Sequence, residues 1–196
     1  QIPEPRLWKP DSLIPVLVKL LLQRRNQGNE TLEQLIFDLG SGAGRDVAFL
    51  AEEYQAQLSL LKNQEEEKRS LTTNNNIPTF KIYGIDNHKG SIKRCLPLWE
   101  SRQVSTLTRH VLLNLKTLPP LTSFLENEMT NNSENKKTTK ELTLLYCVRF
   151  LNRNLMKGLR FLVPCGGLFA ISHFIVESDG SFPYDHPKIS EVLGLD

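Results

Sequence analysis

Apolar positions change their spacing repeatedly along the chain, and each change marks an element. Residues 12–25, SLIPVLVKLLLQRR, have helical apolar spacing, with Asp11 or Ser12 as N-cap. Pro15 falls in the first turn, where a missing N–H does little harm. QLIFDL is short, apolar and followed by a glycine cluster, so it reads as a buried strand. From Arg45 the spacing becomes helical again, with Val47, Leu50, Ala51 and Tyr54 on one face. The chain then turns charged and Asn-rich near 62–78, where a solvated helix end and a flexible insertion are expected.

FKIYGID is the second strand, and SIKRCLPLWESRQ a short helix that Pro97 should break. TRHVLLNL follows as a third strand. LENEMTNNSENKKTTKE, near 126–140, reads as a second polar insertion in a loop. ELTLLYCVRFL makes a fourth strand, and NRNLMKGLRFLVPCGG a helix ended by Pro164 and two glycines. LFAISHFIV is a fifth strand, and the turn-rich tail ends in a short helical stretch. Without the insertions, strands and helices alternate through a single domain over 1–196. That pattern predicts an α/β fold, a doubly wound, mostly parallel Rossmann-like sheet covered on both faces. Such sheets bind ligands beyond the carboxyl ends of their strands, where the strand order reverses.

Composition narrows the function classes only modestly. With 39% hydrophobic residues, 23% charged residues and a net charge of +2, the chain has no strong electrostatic bias toward nucleic acid or membrane. No apolar run is long enough to span a bilayer, and the opening QIPEPRLWKPDSL is not a signal peptide. Cys95, Cys147 and Cys165 are odd in number and widely spaced, which argues against a disulfide framework or zinc site and fits a reducing, cytoplasmic setting. A start without Met and a stop at GLD read as a fragment or a trimmed chain.

The chemistry concentrates in LIFDLGSGAGRD. A glycine turn between strand and helix lets a ligand approach the main chain where a Cβ would collide. Its N–H groups offer hydrogen bonds to polar or anionic groups. The dinucleotide fingerprint G-x-G-x-x-G fails, because Arg45 and Val47 occupy the sixth position in the two registers. The phosphate loop fails too, since no lysine follows the glycines. What remains is acid-x-G-x-G-x-G, built from Asp38, Gly40, Gly42 and Gly44, with Ser41 between the first two glycines.

This motif resembles the first motif of class I S-adenosylmethionine-dependent methyltransferases. The resemblance implies that the loop packs against the methionine part of the cofactor and that Asp38 helps to hold its amino group. It also implies an acid at the end of the second strand for the ribose hydroxyls, and YGID supplies Asp86, with Asn87 beside it. After the third strand, Asn114 could accept from the adenine amino group with Leu115 beside the ring; a plain turn Asn is the other reading. The fourth strand lacks the [DN]-P-P-[FYW] signature of enzymes that methylate base or amide nitrogens.

RLWKP, LGSGAGRDVAFLA, YGIDNHKGSIKR, VRFLNRNLMKGLR and PCGGLFAISHF, in this order, are similar to a subgroup near tellurite-resistance-type and rhodanese-linked methyltransferases. Arg6, Trp8 and Pro10 match its leader, and Arg45 and Asp46 its G-R-D. The class I sheet has seven strands, whereas five are readable here.

The implied activity is methyl transfer to a small molecule, metalloid or thiol compound, needing no metal and leaving S-adenosylhomocysteine. The basic stretches KGSIKR and RNLMKGLR keep RNA or protein acceptors open, and a non-catalytic cofactor-binding scaffold is the reading from a different class. Arg149, Asn152 and Arg153 face the acceptor, cap a helix N-terminus or sit in solvent. His173 is a general base or a structural histidine, and His88 belongs beside the adenosine. Trp8 closes over the site or packs the first helix, while Tyr184, Asp185 and His186 fall where a substrate lid often lies in this fold.

Overall fold

The computed structural model describes residues 10–25, 33–68, 79–130 and 140–173. Among these residues five parallel strands form one sheet in the order β3-β2-β1-β4-β5. They are β1 (Glu33–Leu39), β2 (Phe80–Asp86), β3 (Thr108–Leu112), β4 (Lys140–Val148) and β5 (Leu168–Ser172). The helices are α1 (Leu13–Arg25), α2 (Arg45–Lys68), α3 (Lys89–Ser101), α4 (Leu118–Thr130) and α5 (Arg153–Leu159). The order reverses between β1 and β4, so the turn after β1 opens at the switch point.

Alternation along the strands divides the core into two layers. Ile36, Ile82, Leu144 and Tyr146 point toward α1, α2 and α3, where Leu17, Tyr54 and Trp99 are packed. Phe37, Tyr83, Leu145 and Cys147 point the other way, toward Leu121 and Leu125 of α4 and Leu155 and Leu159 of α5. β1 and β4 lie inside the sheet and are buried on both faces, which explains their nearly unbroken apolar sequences. Asp11 caps α1: its Oδ1 accepts the Leu13 N–H at 3.0 Å.

Several expectations need correction. α4 runs from Leu118 to Thr130, so the polar insertion expected near 126–140 is helical in its first five positions. Pro119 and Pro120 lie in the first turn of α4, whose N–H groups have no partner within the helix anyway. Leu121, Leu125 and Glu128 then supply a buried stripe. Likewise α2 continues to Lys68, so the first part of the insertion placed at 62–78 is helix. The remainders, 69–78 and 131–139, lie outside the described residues.

Pro97 does not break α3. Pro97 and Lys93 are both exposed, so water can take up the carbonyl that the missing N–H leaves behind. β3 stops at Leu112, and β4 stops at Val148 because Arg149 takes φ +57°. α5 is seven residues long and tightens into i→i+3 bonds, Phe161 N–H to Gly158 and Leu162 N–H to Leu159. Along β5, Leu168 and Ala170 pack inward, whereas Phe169 and Ile171 are 38% and 41% exposed. Residues 174–176 of the expected strand are outside the described set. Among the described residues no helix is long and apolar enough to cross a membrane.

Candidate functional site

The turn from β1 to α2 is built by main-chain bonds. The Gly40 and Ser41 N–H groups both donate to the Ile85 carbonyl, at 2.8 and 3.0 Å, and the Gly44 N–H donates to Ser41 at 2.9 Å. All three motif glycines have positive φ, at +78°, +54° and +70°. A Cβ on Gly40 would lie 2.5 Å from the Phe150 ring, and one on Gly44 2.7 Å from Cys95. The Trp99 indole also donates to the Gly44 carbonyl at 2.9 Å. A Cβ on Gly42 would meet nothing within 4 Å. Two glycines are therefore required by the protein's own packing, and the middle one fronts open space.

Three carboxylates surround this turn, each in a different setting. Asp38, next to last in β1, is 2% exposed, and burial first, then the charge of Asp46, hold its carboxyl well above the usual range. Asp86 adds to that effect, while the Tyr146 hydroxyl opposes it. Tyr146 is the register partner of Asp38 on β4 and is fully buried, yet its hydroxyl makes no hydrogen bond of normal geometry. The pair is close enough to interact but poorly aligned.

Asp46, in the first turn of α2, accepts the Asp11 N–H at 2.9 Å. Its pKa is raised mainly by burial, against the Asp11 bond. Asp86 is engaged by main chain on both oxygens: the Gly42 N–H donates to Oδ2 at 2.8 Å and the His88 N–H to Oδ1 at 2.7 Å. Each oxygen keeps a second lone pair.

A cavity of about 600 Å³ opens over the turn, floored by Asp38, Gly40, Ser41 and Gly42. Arg45 and Asp46 of α2, Arg94 and Leu98 of α3, and Val148 and Arg149 after β4 form its walls. Arg149 Nε reaches Asp11 at 3.7 Å. Among the described residues no cluster of His, Cys, Asp or Glu could hold a metal ion.

The structure thus gathers Asp38, Gly40, Ser41 and Gly42 around one cavity, and ties Asp86 to its floor through Gly42. Gly44 is buried beneath the turn. Asn87 is exposed beside Asp86. Asn114 is exposed and accepts the Lys116 N–H at 3.0 Å, as in a turn, and Leu115 at 3% exposure faces the α4–α5 core. Asn152 is the α5 cap: its oxygen accepts from Asn154 and Leu155, and its amide donates to the Leu115 carbonyl. His88 is exposed at the start of α3. Arg153 and His173 do not line the cavity. Arg6, Trp8, Tyr184, Asp185 and His186 lie outside the described residues.

The sequence reading missed Arg94, Leu98 and Tyr146. Arg94 and Leu98 stand one helical turn apart, a signal that was present. Tyr146 could only be found from its register with Asp38.

No protein-family model matches the chain, and no curated protein does either. Among solved structures it is similar to YjhP from E. coli, at 14% identity and a TM-score of 0.50, over 97% of this chain and 59% of that one. It is also similar to a SAM-dependent methyltransferase from Geobacter sulfurreducens in complex with S-adenosyl-L-homocysteine, at 12% identity, TM-score 0.47, over 96% and 57%. A SAM-dependent methyltransferase from Aquifex aeolicus gives 13%, 0.47, and 96% and 82% coverage. Two of these three neighbours are thus methyltransferases by description, and the YjhP likeness carries the shared α/β fold. The chain spans 59% and 57% of the first two.

Proposed function

We propose that the protein is an S-adenosylmethionine-dependent methyltransferase acting on a small-molecule acceptor. The observation that carries this reading is the open face of Gly42 between two acids, Asp38 in the cavity floor and Asp86 at the edge of the turn. A ligand with a sulfonium, an ammonium and no phosphate suits a glycine turn backed by carboxylates and lacking a lysine. A cavity of about 600 Å³ is of small-molecule size.

When bound, the cofactor supplies an already activated methyl group. The residues of this chain bind and orient. Asp38 would meet the ammonium, whose charge favours the ionised form of the buried carboxyl. Asp86 would accept from the ribose hydroxyls through its remaining lone pairs. The cavity walls would align the acceptor for in-line attack and exclude water, which is where acceleration arises without a dedicated base. Asp46, part of the G-R-D that carries the similarity to the tellurite-resistance-type and rhodanese-linked subgroup, accepts the Asp11 N–H.

A second reading, a cofactor-binding scaffold, is favoured by Asp86 having main-chain partners on both oxygens, a structural task independent of catalysis. Calorimetric titration with S-adenosylhomocysteine tests the cofactor, and release of that product from S-adenosylmethionine with pooled small-molecule acceptors tests turnover. Binding with turnover supports the enzyme, and binding without turnover supports the scaffold. A folded protein that fails to bind would remove both readings.

A further inference from the structure

We propose that Tyr146 is a positioning residue for the cofactor's ammonium, its hydroxyl donating to the Asp38 carboxylate once the ligand is bound; this rests on the methyltransferase reading. Asp38 on β1 and Tyr146 on β4 are register partners in adjacent parallel strands. Both project to the α1–α3 side of the sheet, as do Ile36 and Leu144 two residues before them. Asp38 reaches the cavity floor, whereas Tyr146 does not line the cavity; Val148, two residues further along β4, does. The phenol therefore stands behind the carboxylate and acts through it.

Tyr146 is fully buried, and its hydroxyl makes no hydrogen bond of normal geometry. Its ring belongs to an apolar cluster that a phenylalanine would fill equally well, so the hydroxyl adds a desolvation cost and nothing to the packing. Such a group calls for a use in another state, and the neighbouring carboxylate supplies one. Burial first, then the charge of Asp38, hold the phenol well above its ordinary range. It stays protonated and serves an anion as donor. At Asp38 the Tyr146 hydroxyl favours the ionised form, against burial, Asp46 of α2 and Asp86 of β2. Arg45, Arg94 and Arg149 line the same cavity, and Asp11 faces Asp46 from the start of α1. An ammonium on the cavity side ionises Asp38, and the carboxylate then has charge-assisted donors on two sides, the ligand and Tyr146. The phenol so sets the plane of the carboxylate and lowers the cost of ionising it.

The test is calorimetric titration of the parent and Tyr146→Phe with S-adenosylhomocysteine and with 5′-methylthioadenosine, which lacks the amino-acid end, across the acid and neutral range. The expected result is S-adenosylhomocysteine bound at least fivefold more weakly by Tyr146→Phe at pH 7, with 5′-methylthioadenosine held within twofold. The acid limb of the S-adenosylhomocysteine profile should also move to higher pH, because Asp38 without its donor ionises later. Without ligand, the variant should melt no lower than the parent. Equal weakening of both ligands, which is loss of packing, overturns the inference. So does unchanged S-adenosylhomocysteine affinity, or a pH profile that stays in place. A variant that melts well below the parent overturns it too, since the hydroxyl would then be satisfied within the fold. If the parent fails to bind S-adenosylhomocysteine at all, the cofactor reading itself falls, and this inference with it.

Discussion

The Asp86 carboxylate holds the glycine turn: its Oδ2 accepts the Gly42 N–H at 2.8 Å, across the gap between the ends of β2 and β1. The other oxygen takes the His88 N–H at 2.7 Å and so orients the start of α3. One side chain therefore sets the relative position of the two segments on which a cofactor would rest. Asp86→Ala removes two charge-assisted bonds and should cost about 1–3 kcal/mol. At roughly 2–4 °C per kcal/mol for a domain of this size, the melting temperature should fall by several degrees. S-adenosylhomocysteine affinity should fall more than tenfold. Unchanged affinity in Asp86→Ala would show that the ribose is held elsewhere.

The three motif glycines should separate stability from ligand binding. Gly42→Ala meets no atom within 4 Å, so its cost is the left-handed backbone alone, about 1–2 kcal/mol. Gly40→Ala and Gly44→Ala carry the same backbone cost and add collisions with Phe150 and with Cys95 and Trp99. Urea denaturation should rank Gly42→Ala as the mildest of the three. Calorimetry should nonetheless find its S-adenosylhomocysteine affinity reduced at least tenfold, because the added methyl enters the space meant for the ligand.

The turn and the parallel sheet were legible because their signals are local. Buried interior strands such as β1 and β4 are apolar along most of their length, and a left-handed turn favours glycine. α4 was hidden because Pro119 and Pro120 look like loop residues unless the helix start is already known. Glu128 compounded this, since a buried acid breaks the apolar pattern. The charged cavity wall was equally opaque. Arg94 on α3 and Arg149 after β4 line one cavity only because β2 and β4 flank β1 in the sheet. The missed tertiary partner of Asp38, Tyr146, depends on a register shift in the β1–β4 pairing near Leu35 and Ile36.

Glu128 also anchors the face opposite α1–α3. Its two oxygens accept the Tyr83 hydroxyl at 2.7 Å and Arg109 Nη1 at 2.9 Å, pinning α4 to β2 and β3. Glu128→Leu should destabilise by about 1–3 kcal/mol, chiefly by leaving the Tyr83 hydroxyl without its acceptor. The cavity lies on the other side of the sheet, so S-adenosylhomocysteine affinity should stay within twofold. Tyr83→Phe in the Glu128→Leu background should recover part of the loss, because no buried hydroxyl is then unsatisfied. A double-mutant cycle by chemical denaturation measures the coupling.

Asp38 should oppose folding at neutral pH in the absence of ligand. Its folded-state pKa is raised, by burial first and then by Asp46 and Asp86, so the folded chain holds the proton more tightly than the unfolded chain. Stability from this group is present below the ordinary carboxylate pKa and is lost as pH rises through the folded value; above that, the slope ends. Asp46, also raised, contributes a slope of the same sign. Asp38→Asn should therefore melt higher than the parent at pH 7 and show a shallower pH dependence, while binding S-adenosylhomocysteine poorly. In the parent, an ammonium placed against Asp38 favours the ionised form, so binding should release protons. Calorimetry in two buffers of different ionisation enthalpy reads that release directly. A parent that binds without proton release, with Asp38→Asn no more stable than the parent, would mean that the carboxylate is already ionised and held by some other group.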